Sequence, residues 1–347
     1  MSQIFELMKK YDCEELHFRY DPKTKLRAII AINSTKRGSM CSGGVRMRNY
    51  KNEDEALWDA LNLSLAMTQK CAAIKANVGG GKAIIWNTPK EKNADLLTCF
   101  AKFMCSLGGR FRTAVDVGLN HEDGETIIKT CPYVEGQPEK YGGLGTEGDT
   151  TAIGVIKAMK SGCKYLFGNK SLKGKIIALQ GLGNVGSFMV EFLIKEKAIL
   201  IIADTDGKIV KDIKMKHPSV KTVSPNEILF QKCDILSPCA IGGILNSKTI
   251  PKLRCGMICG AANNQLYKPK SDIRLIEKRG ILFLPDFIVN AGGIIQAIVE
   301  INKGTKRQAI RNTKIIEKNI AYILGEHKKT RKNTLEIAHE LIDTRLK

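Results

Sequence analysis

Hydrophobic residues in the first part of the chain occur in short runs that alternate with helical patterns. The apolar run LRAIIAI predicts a buried strand at Leu26–Ile32, and two further runs predict strands at Lys82–Trp86 and Phe111–Val115. Between these runs, the spacing of apolar residues predicts helices at Glu53–Ser64 and Asp95–Leu107. This alternation predicts an α/β layer joined by short loops.

The composition of the chain changes at Tyr133–Asp149, where glycine and polar residues dominate. We interpret this stretch as a hinge between two domains. The elements predicted after it are a helix at Thr150–Leu166, a strand at Lys175–Gln180, a helix at Val185–Ile194, and strands at Ala198–Ala203, Asp234–Leu236, Gly256–Cys259 and Gly280–Leu284. From Asp286 onward the pattern is mostly helical. We predict one domain over 1–138, a second over 139–319, and C-terminal helices at about 320–347 that pack back on the first.

A glycine-rich turn follows the predicted strand KIIALQ and opens the next helix. It has the pattern G-x-G-x-x-G, and Asp204 stands 23 residues after its first glycine. In this context the pattern is a dinucleotide fingerprint, because the glycines permit a tight turn, close approach of the backbone to a pyrophosphate, and close packing of helix and strand. A carboxylate at Asp204 would accept hydrogen bonds from both ribose hydroxyls and repel a 2′-phosphate, which favours NAD over NADP. The residues of the turn are Gly181, Leu182, Gly183, Asn184, Val185 and Gly186.

Length and composition limit the kind of protein further. The 347 residues suggest two domains or one large one, and no apolar run approaches the roughly 18 residues that span a membrane. The N-terminus does not read as a signal peptide. Eleven cysteines without a Cys-x-x-Cys pair indicate a reducing, cytoplasmic location and no metal site. The net charge of +20 comes from lysines dispersed among acids, so we expect a solvated surface that attracts anionic ligands and not a nucleic-acid-binding one.

A lysine directly after three glycines marks the stretch MTQKCAAIKANVGGGKAII, at Met67–Ile85. It does not match a phosphate-binding P-loop, because Ala83 follows the lysine where that motif needs Ser or Thr, and Ala76 stands at the first glycine position. The glycines would instead let the backbone pass close to a ligand or another element. We expect Lys82 at the start of a strand, pointing into a cleft, and Lys75 on the solvated surface.

Two lysines and an aspartate are the candidate catalytic groups. A second cation near Lys82 would lower its pKa and let it act as an acid and base near neutral pH, and Lys70, at the end of an apolar helix, could supply that cation. The sequence TAVDVG puts Asp116 at the carboxyl end of a strand, where the sites of α/β sheets collect. Beside a nicotinamide, these groups indicate hydride transfer on a substrate that carries a carboxylate.

A series of long motifs, in order along the chain to about Asn302, resembles the amino acid dehydrogenases that act on leucine, phenylalanine, valine, tryptophan and glutamate. The motifs are AIIAI (28–32), GGVRM (43–47), MTQK and GGGKAII (67–85), GRFRTAVDVG (109–118), LQGLGNVG (179–186), DILSPCAIGGILN (234–246), GAANNQLY (260–267) and PDFIVNAGG (285–293). The pattern is most similar to the leucine, phenylalanine and tryptophan enzymes. The resemblance implies a homo-oligomer of fold class α/β, with an N-terminal substrate domain, a C-terminal Rossmann dinucleotide-binding domain and a cleft between them.

The resemblance also implies roles for individual residues. Lys70 holds the substrate carboxylate, Lys82 is the catalytic acid and base, and Asp116 moves protons around the amino group. Further substrate-binding positions are Ser42, Gly43, Gly44, Ala114, Asn263, Ile294 and Ala297. Further cofactor-binding positions are Thr151, Cys239, Ala240 and again Asn263. The family reaction is the NAD-dependent, reversible oxidative deamination of an L-amino acid to a 2-oxo acid and ammonia, in which lysine-activated water adds to an imine.

The sequence departs from the leucine enzymes at positions near this site. Ser42 and Ala297 stand where the leucine type has a leucine and a valine, which enlarges the side-chain pocket and favours a larger hydrophobic or aromatic substrate. The family usually has an Asn-Pro run before the Thr-Ala pair that ends the segment 146–152, and this chain has TEGDT there instead. Val115 stands where the family usually has an acid before Asp116. These departures keep an alternative open, in which the chain is a catalytically weak relative that binds NAD or an amino acid as a sensor.

Overall fold

The computed structural model describes residues 4–88 and 90–346, which form two compact units. The first unit runs to Thr146 and also takes in Glu300–Lys303 and the chain from Arg345. The second comprises Glu147–Val299 and Gly304–Thr344. The division falls inside the predicted hinge. The C-terminal helices differ from the prediction, because all but the end of the last one belongs to the second unit.

The first unit is built on a five-stranded sheet. Its strands are β1 (Glu15–Asp21), β2 (Leu26–Ser34), β3 (Cys41–Met47), β4 (Gly79–Ile85) and β5 (Phe111–Val115). Its helices are α1 (Ile4–Tyr11), α2 (Glu53–Ala73), α3 (Ala94–Cys105) and α4 (His121–Ile128), followed by a 3₁₀ turn at Glu139–Tyr141. The strand order is β1-β2-β4-β3-β5, with β1, β2 and β4 antiparallel and β3, β4 and β5 parallel.

Strand β4 begins at Gly79, so Lys82 lies in the middle of the strand and not at its start as predicted. The glycines are needed inside the strand because its neighbours approach it closely. A Cβ at Gly80 would lie 2.0 Å from the backbone nitrogen of Thr68 on α2, and a Cβ at Gly81 would lie 2.8 Å from the Phe111 ring. Any larger residue would displace α2 or the Phe111 ring.

Helix α2 is longer than predicted and covers one face of the sheet. The side chain of Asn52 caps its first turn by accepting a hydrogen bond from Glu55 N over 2.9 Å. Ala56, Leu57 and Leu61 face the sheet, where they form a core with residues of β2 and β4. The segment after the predicted end at Ser64 contains no proline, and Thr68 in it packs closely on Gly80 of β4, so the helix continues to Ala73.

The opposite face of this sheet packs on α3. Phe100 and Met104 of α3 and Phe111 of β5 are fully buried in the resulting cluster. Burial of each such side chain stabilises the folded unit by about 1.5–3 kcal/mol. The sheet is thus fixed between two helical layers, and its alternate residues point to α2 or to α3.

The second unit is a six-stranded parallel sheet, typical of a Rossmann domain. Its strands are β6 (Ile176–Gln180), β7 (Ile199–Ala203), β8 (Lys221–Thr222), β9 (Cys233–Pro238), β10 (Cys255–Ile258) and β11 (Leu282–Phe283). Its helices are α5 (Gly148–Phe167), α6 (Asn184–Lys195), α7 (Gly207–Lys216), α8 (Pro269–Lys278), α9 (Asp286–Val289), α10 (Gly292–Ile301), α11 (Lys306–Asn312), α12 (Lys314–Thr330) and α13 (Thr334–Leu346), with 3₁₀ turns at Ile228–Phe230 and Ile250–Lys252. The strand order is β11-β10-β9-β6-β7-β8. The chain adds β7 and β8 on one side of β6 and then β9, β10 and β11 on the other, so the order of strand addition switches between β6 and β9.

The predicted α/β class and the parallel second sheet are confirmed. The sequence analysis did not predict strands β1 and β3. β1 is an edge strand whose Phe18 and Tyr20 are 54% and 61% exposed, so its residues do not form an apolar run. β3 contains Gly43 and Gly44, which weaken the strand pattern. Among the described helices, none is both long and apolar enough to cross a membrane.

Candidate active site

Alternate residues of β3 point to the α2 side of the sheet. Val45 belongs to the core cluster on the α3 side, so Ser42, Gly44 and Arg46 share the other face. A Cβ at Gly44 would lie 3.0 Å from Lys82 Nζ. The glycine therefore keeps the space beside this ammonium group free of protein side chain.

Lys82 and Asp116 form an ion pair on this face. Lys82 Nζ donates to Asp116 Oδ2 over 2.5 Å, and the lysine is only 5% exposed. Burial lowers the pKa of Lys82, against the charge of Asp116, which raises it. Burial would raise the pKa of Asp116, but Lys82 and Arg46 outweigh it and lower that pKa to about 2. The site thus contains a buried amine beside a carboxylate that stays ionised at neutral pH.

A guanidinium missed by the sequence analysis completes this cluster. Arg46 lies 3.3 Å from Asp116 Oδ2 and 3.3 Å from Asp59 Oδ2. The hydroxyl of Tyr50 donates to Asp59 Oδ2 over 2.7 Å. Arg46 thus shares the Oδ2 atom of Asp116 with Lys82 and links it to Asp59. The available signal was Asp59 itself, an acid that falls among the apolar positions of a predicted helix.

Arg46 is a cation beside the Lys82–Asp116 pair that the sequence analysis did not identify; the expectation there was Lys70. Among cations, Arg46 has the largest lowering effect on the pKa of Lys82, because both groups contact the same carboxylate. Lys70 lies half-buried in the last turn of α2, two residues after Thr68, which contacts β4 at Gly80. Its predicted role in binding a carboxylate stays a prediction.

A second polar cluster, also missed by the sequence analysis, lies on the same face of the sheet. Ser42 Oγ donates to Glu135 Oε2 over 2.8 Å, and Arg112 Nε lies 3.3 Å from Glu135 Oε1. Glu135 is 2% exposed. Burial raises its pKa to about 7, although Ser42 and Arg112 act to lower it. On the same face of the sheet, Arg112 of β5 lies opposite Ser42 of β3, and Ala114 lies opposite Gly44. This cluster therefore adjoins the lysine site.

The glycine-rich turn of the second unit has the geometry expected of a dinucleotide site. Gly181 adopts a φ of +92°, in the left-handed region, and follows β6 directly. Gly183 caps α6 without a side chain, and a Cβ there would meet no atom within 4 Å. A Cβ at Gly186 would lie 2.0 Å from the carbonyl oxygen of Gly181, so the helix can approach the turn only with glycine at this position. Open space before an uncapped helix N-terminus suits a pyrophosphate.

Asp204 stands at the carboxyl end of β7, beside this turn. Its Oδ2 accepts a hydrogen bond from Leu182 N over 2.6 Å, and its Oδ1 accepts one from Asp206 N over 2.8 Å. Burial would raise the pKa of Asp204, but these backbone donors lower it, so the group is a carboxylate at neutral pH. Thr205 Oγ1 also donates to Asp204 Oδ1 over 3.4 Å. A carboxylate has about four acceptor sites, so one remains for a ribose hydroxyl. The residues present therefore fit a bound dinucleotide.

Two of the remaining predicted cofactor residues, Cys239 and Ala240, adjoin the turn. Cys239 N donates to Gln180 O over 2.7 Å, and a Cβ at Gly181 would lie 2.8 Å from Ala240 Cβ. The ends of β6 and β9 thus meet at the point where the strand order reverses, which is where open α/β sheets bind their ligands. Gly148, at the start of α5, is also close to the turn, because a Cβ added to it would lie 2.4 Å from the carbonyl oxygen of Asn184.

The other predicted positions of the second unit lie on three separate segments. Thr151 is in the first turn of α5, where its Cα lies 2.4 Å from the position of a Cβ on Gly292. Asn263 is exposed in the loop after β10, and Asn290 Nδ2 donates to its Oδ1 over 2.8 Å. Ile294 and Ala297 are on α10.

The altered segment at 146–152 includes the start of α5, and its Asp149 pairs within the second unit. Lys306 Nζ donates to Asp149 Oδ1 over 2.6 Å, and Thr150 Oγ1 donates to Gln296 Oε1 over 2.7 Å. These bonds tie the start of α5 to α10 and α11. Within residues 4–88 and 90–346, the His, Cys, Asp and Glu side chains form no group of three or more that could hold a metal ion.

Comparison with known proteins covers both units. Residues 15–133 match the family model described as Glu/Leu/Phe/Val dehydrogenase, dimerisation domain. Residues 142–216 and 197–344 match the model described as Glutamate/Leucine/Phenylalanine/Valine dehydrogenase. Together these matches extend over both sheets and both candidate sites.

Individual relatives are similar over nearly their whole length. A phenylalanine dehydrogenase from Lysinibacillus sphaericus is 43% identical over 318 residues, which are 90% of this chain and 83% of the relative. A leucine dehydrogenase from Geobacillus stearothermophilus is 38% identical over 345 residues, 99% of this chain and 93% of the relative. The crystal structure of L-tryptophan dehydrogenase from Nostoc punctiforme superposes with a TM-score of 0.85 at 34% identity, covering 99% of this chain and 98% of that one. The resemblance seen in the motifs is confirmed, and the chain belongs to the Glu/Leu/Phe/Val dehydrogenase family.

Proposed function

We propose that this chain catalyses the NAD-dependent, reversible oxidative deamination of an L-amino acid with a hydrophobic or aromatic side chain, giving a 2-oxo acid and ammonia. The observation that carries the proposal is the buried Lys82–Asp116 pair beside the open position at Gly44. A buried amine next to an ionised carboxylate is suited to moving protons at a carbon that changes between amine and ketone. The leucine, phenylalanine and tryptophan dehydrogenases named above support the side-chain class.

Lys82 is the group that we propose to exchange protons with water. Because burial lowers its pKa, a larger fraction of the amine is neutral near pH 8 than for a lysine in solvent. The neutral amine takes a proton from the water that adds to the imine carbon, and it returns a proton as ammonia leaves. Asp116 enters the reaction as a carboxylate, so it orients the lysine and accepts a proton from the substrate amino group.

Two further groups would hold the substrate and the cofactor. Lys70 offers a cation for the substrate carboxylate, which would fix the Cα in front of the Lys82 amine. The turn at 181–186 and Asp204 would hold the dinucleotide. A nicotinamide bound there supplies the hydride acceptor. Asp204 favours NAD, because its charge would face the 2′-phosphate of NADP.

Asp204→Asn is expected to weaken the preference for NADH over NADPH by about 10- to 100-fold, because an amide forms weaker bonds with ribose hydroxyls and does not repel a phosphate. Fluorescence titration of each reduced dinucleotide measures this without turnover. The control is Asp212→Asn, which removes the same charge from an exposed position of α7. An unchanged ratio of dissociation constants in Asp204→Asn would remove Asp204 from the cofactor site.

A panel of 2-oxo acids tests the reaction itself. Ammonia and NADH are mixed with pyruvate, 4-methyl-2-oxopentanoate and phenylpyruvate, and the loss of NADH absorbance is followed. We expect the branched or the aromatic acid to exceed pyruvate by at least about tenfold in kcat/KM, since each buried methylene-sized contact contributes about 1–3 kcal/mol. If no acid is reduced while NADH still binds, the sensor alternative replaces the enzyme proposal.

We also propose a homo-oligomer in the cytoplasm. The first unit matches a model described as a dimerisation domain, and Phe18 and Tyr20 are exposed on its edge strand β1. All eleven cysteines are free thiols, which suits a reducing compartment.

A further inference from the structure

The second polar cluster lies where the side chain of a substrate would extend. Ser42 precedes Gly44 by two residues on the same face of β3, and the Gly44 position faces Lys82 Nζ. At about 3.3 Å per residue, the Ser42 side chain is displaced by about 7 Å along the strand from that point. On β5, Arg112 lies opposite Ser42 and Ala114 lies opposite Gly44, so the same distance separates them. A phenyl ring with a polar group at its far end spans a comparable distance from the Cα.

Glu135 is a buried acid whose oxygens are incompletely satisfied. Its Oε2 accepts the Ser42 hydroxyl, whereas Oε1 has the Arg112 ion-pair contact at 3.3 Å but receives no hydrogen bond from a described residue. A buried oxygen without a donor costs about 1–3 kcal/mol. A donor on a bound ligand would recover part of that cost. The same segment carries a second such oxygen, Gln137 Oε1.

The charges of the cluster restrict the chemistry of the ligand group. Arg112 already places one cation beside Glu135. The nearby Glu300 accepts hydrogen bonds from the backbone N–H groups of Gly136 and Leu144. Both acids therefore have partners, and an ammonium-bearing side chain would lose its hydration here without an acid that lacks one. A purely apolar side chain would leave Glu135 Oε1 without a donor. A neutral group that donates a hydrogen bond meets both conditions, and a ring hydroxyl or ring N–H is such a group.

We propose that Ser42, Glu135 and Arg112 form the polar end of the substrate side-chain site, and that the chain prefers aromatic substrates whose ring carries a hydrogen-bond donor. This inference rests on the proposed deamination and deepens it. Glu135 is thereby a specificity-determining residue, whereas Arg112 positions it. The hydroxyl of Ser42, which replaces a leucine of the leucine type, serves to orient the Glu135 carboxyl group and not merely to enlarge the pocket.

The test compares three aromatic 2-oxo acids with ammonia and NADH. We expect 4-hydroxyphenylpyruvate or indole-3-pyruvate to exceed phenylpyruvate in kcat/KM by at least about tenfold, because the donor bonds to a buried acid. A ratio of one or less for both donor-bearing acids overturns the inference alone. If none of the three acids nor 4-methyl-2-oxopentanoate is reduced, the proposed function fails with it.

Variants identify the residues responsible for that preference. The paired substitution Glu135→Met with Arg112→Met replaces the buried ion pair by apolar groups of similar length, which avoids leaving one charge unpartnered. We expect the ratio to fall to about two or less while kcat/KM for phenylpyruvate holds or rises. Glu135→Gln, which keeps the shape, should lower the ratio by a smaller factor. Glu139→Gln, at an exposed position of the same segment, is the control and should leave it unchanged. A paired variant that binds NADH normally and keeps the full preference overturns the inference.

Discussion

Lys82→Met is expected to lower kcat/KM for reductive amination by about 10³-fold or more while leaving the affinity for NADH unchanged. Methionine matches the length of the buried lysine stem but cannot carry a proton, so the substitution removes the acid and base without opening a cavity. A general acid or base contributes about 10²- to 10⁴-fold, and the Lys82 ammonium group lies 2.5 Å from its carboxylate partner. Steady-state kinetics and NADH titration give the two quantities.

Lys51→Met is the matched control, because Lys51 is an exposed lysine of the same unit. It should retain full activity. The thermal midpoints of both variants need to be measured, since Asp116 loses its lysine partner in Lys82→Met while it keeps Arg46. A folded Lys82→Met protein that retains more than a tenth of the wild-type kcat/KM would show that another group performs the proton transfer.

Asp116→Asn is expected to reduce kcat by about 100-fold and to move the rising limb of the pH profile for oxidative deamination toward lower pH. The charge of Asp116 raises the pKa of Lys82, against burial and Arg46, which lower it. Removing that negative charge while Arg46 remains leaves the ammonium less stabilised, so Lys82 loses its proton at a lower pH. The profile of kcat/KM for oxidative deamination, which depends on the neutral amine, should therefore rise at lower pH than in the wild type.

The control for this substitution is Asp95→Asn, which removes one negative charge from an exposed position of α3. It should alter neither kcat nor the pH profile. If Asp116→Asn lowers kcat without moving the profile, Asp116 acts on the substrate and not through Lys82. If neither quantity changes by more than about threefold, the ion pair has no part in the reaction.

The sequence predicted the elements best where a single local signal determined them. β5 matches its predicted bounds, and the strand, glycine turn and helix at 176–195 are within a residue of prediction at each end, because apolar runs and glycine spacing are local properties. β4 was placed three residues late, since nothing local shows that Gly79 and Gly80 lie against Ser34 and Thr68. The end of α2 was also missed, because its last turns are held by packing on β4.

By itself, the sequence determined the family, the dinucleotide-binding turn and the identity of Lys82 and Asp116 as candidates, because each rests on residue type and spacing along the chain. Only the tertiary structure decided which groups surround them. Arg46 joins Lys82 at Asp116 because strand alternation puts its guanidinium against that carboxylate. Glu135 contacts Ser42 although the two residues are 93 positions apart in the sequence. Burial and charge contacts of this kind depend on distances between segments remote in sequence, and those distances exist only after the sheet has formed.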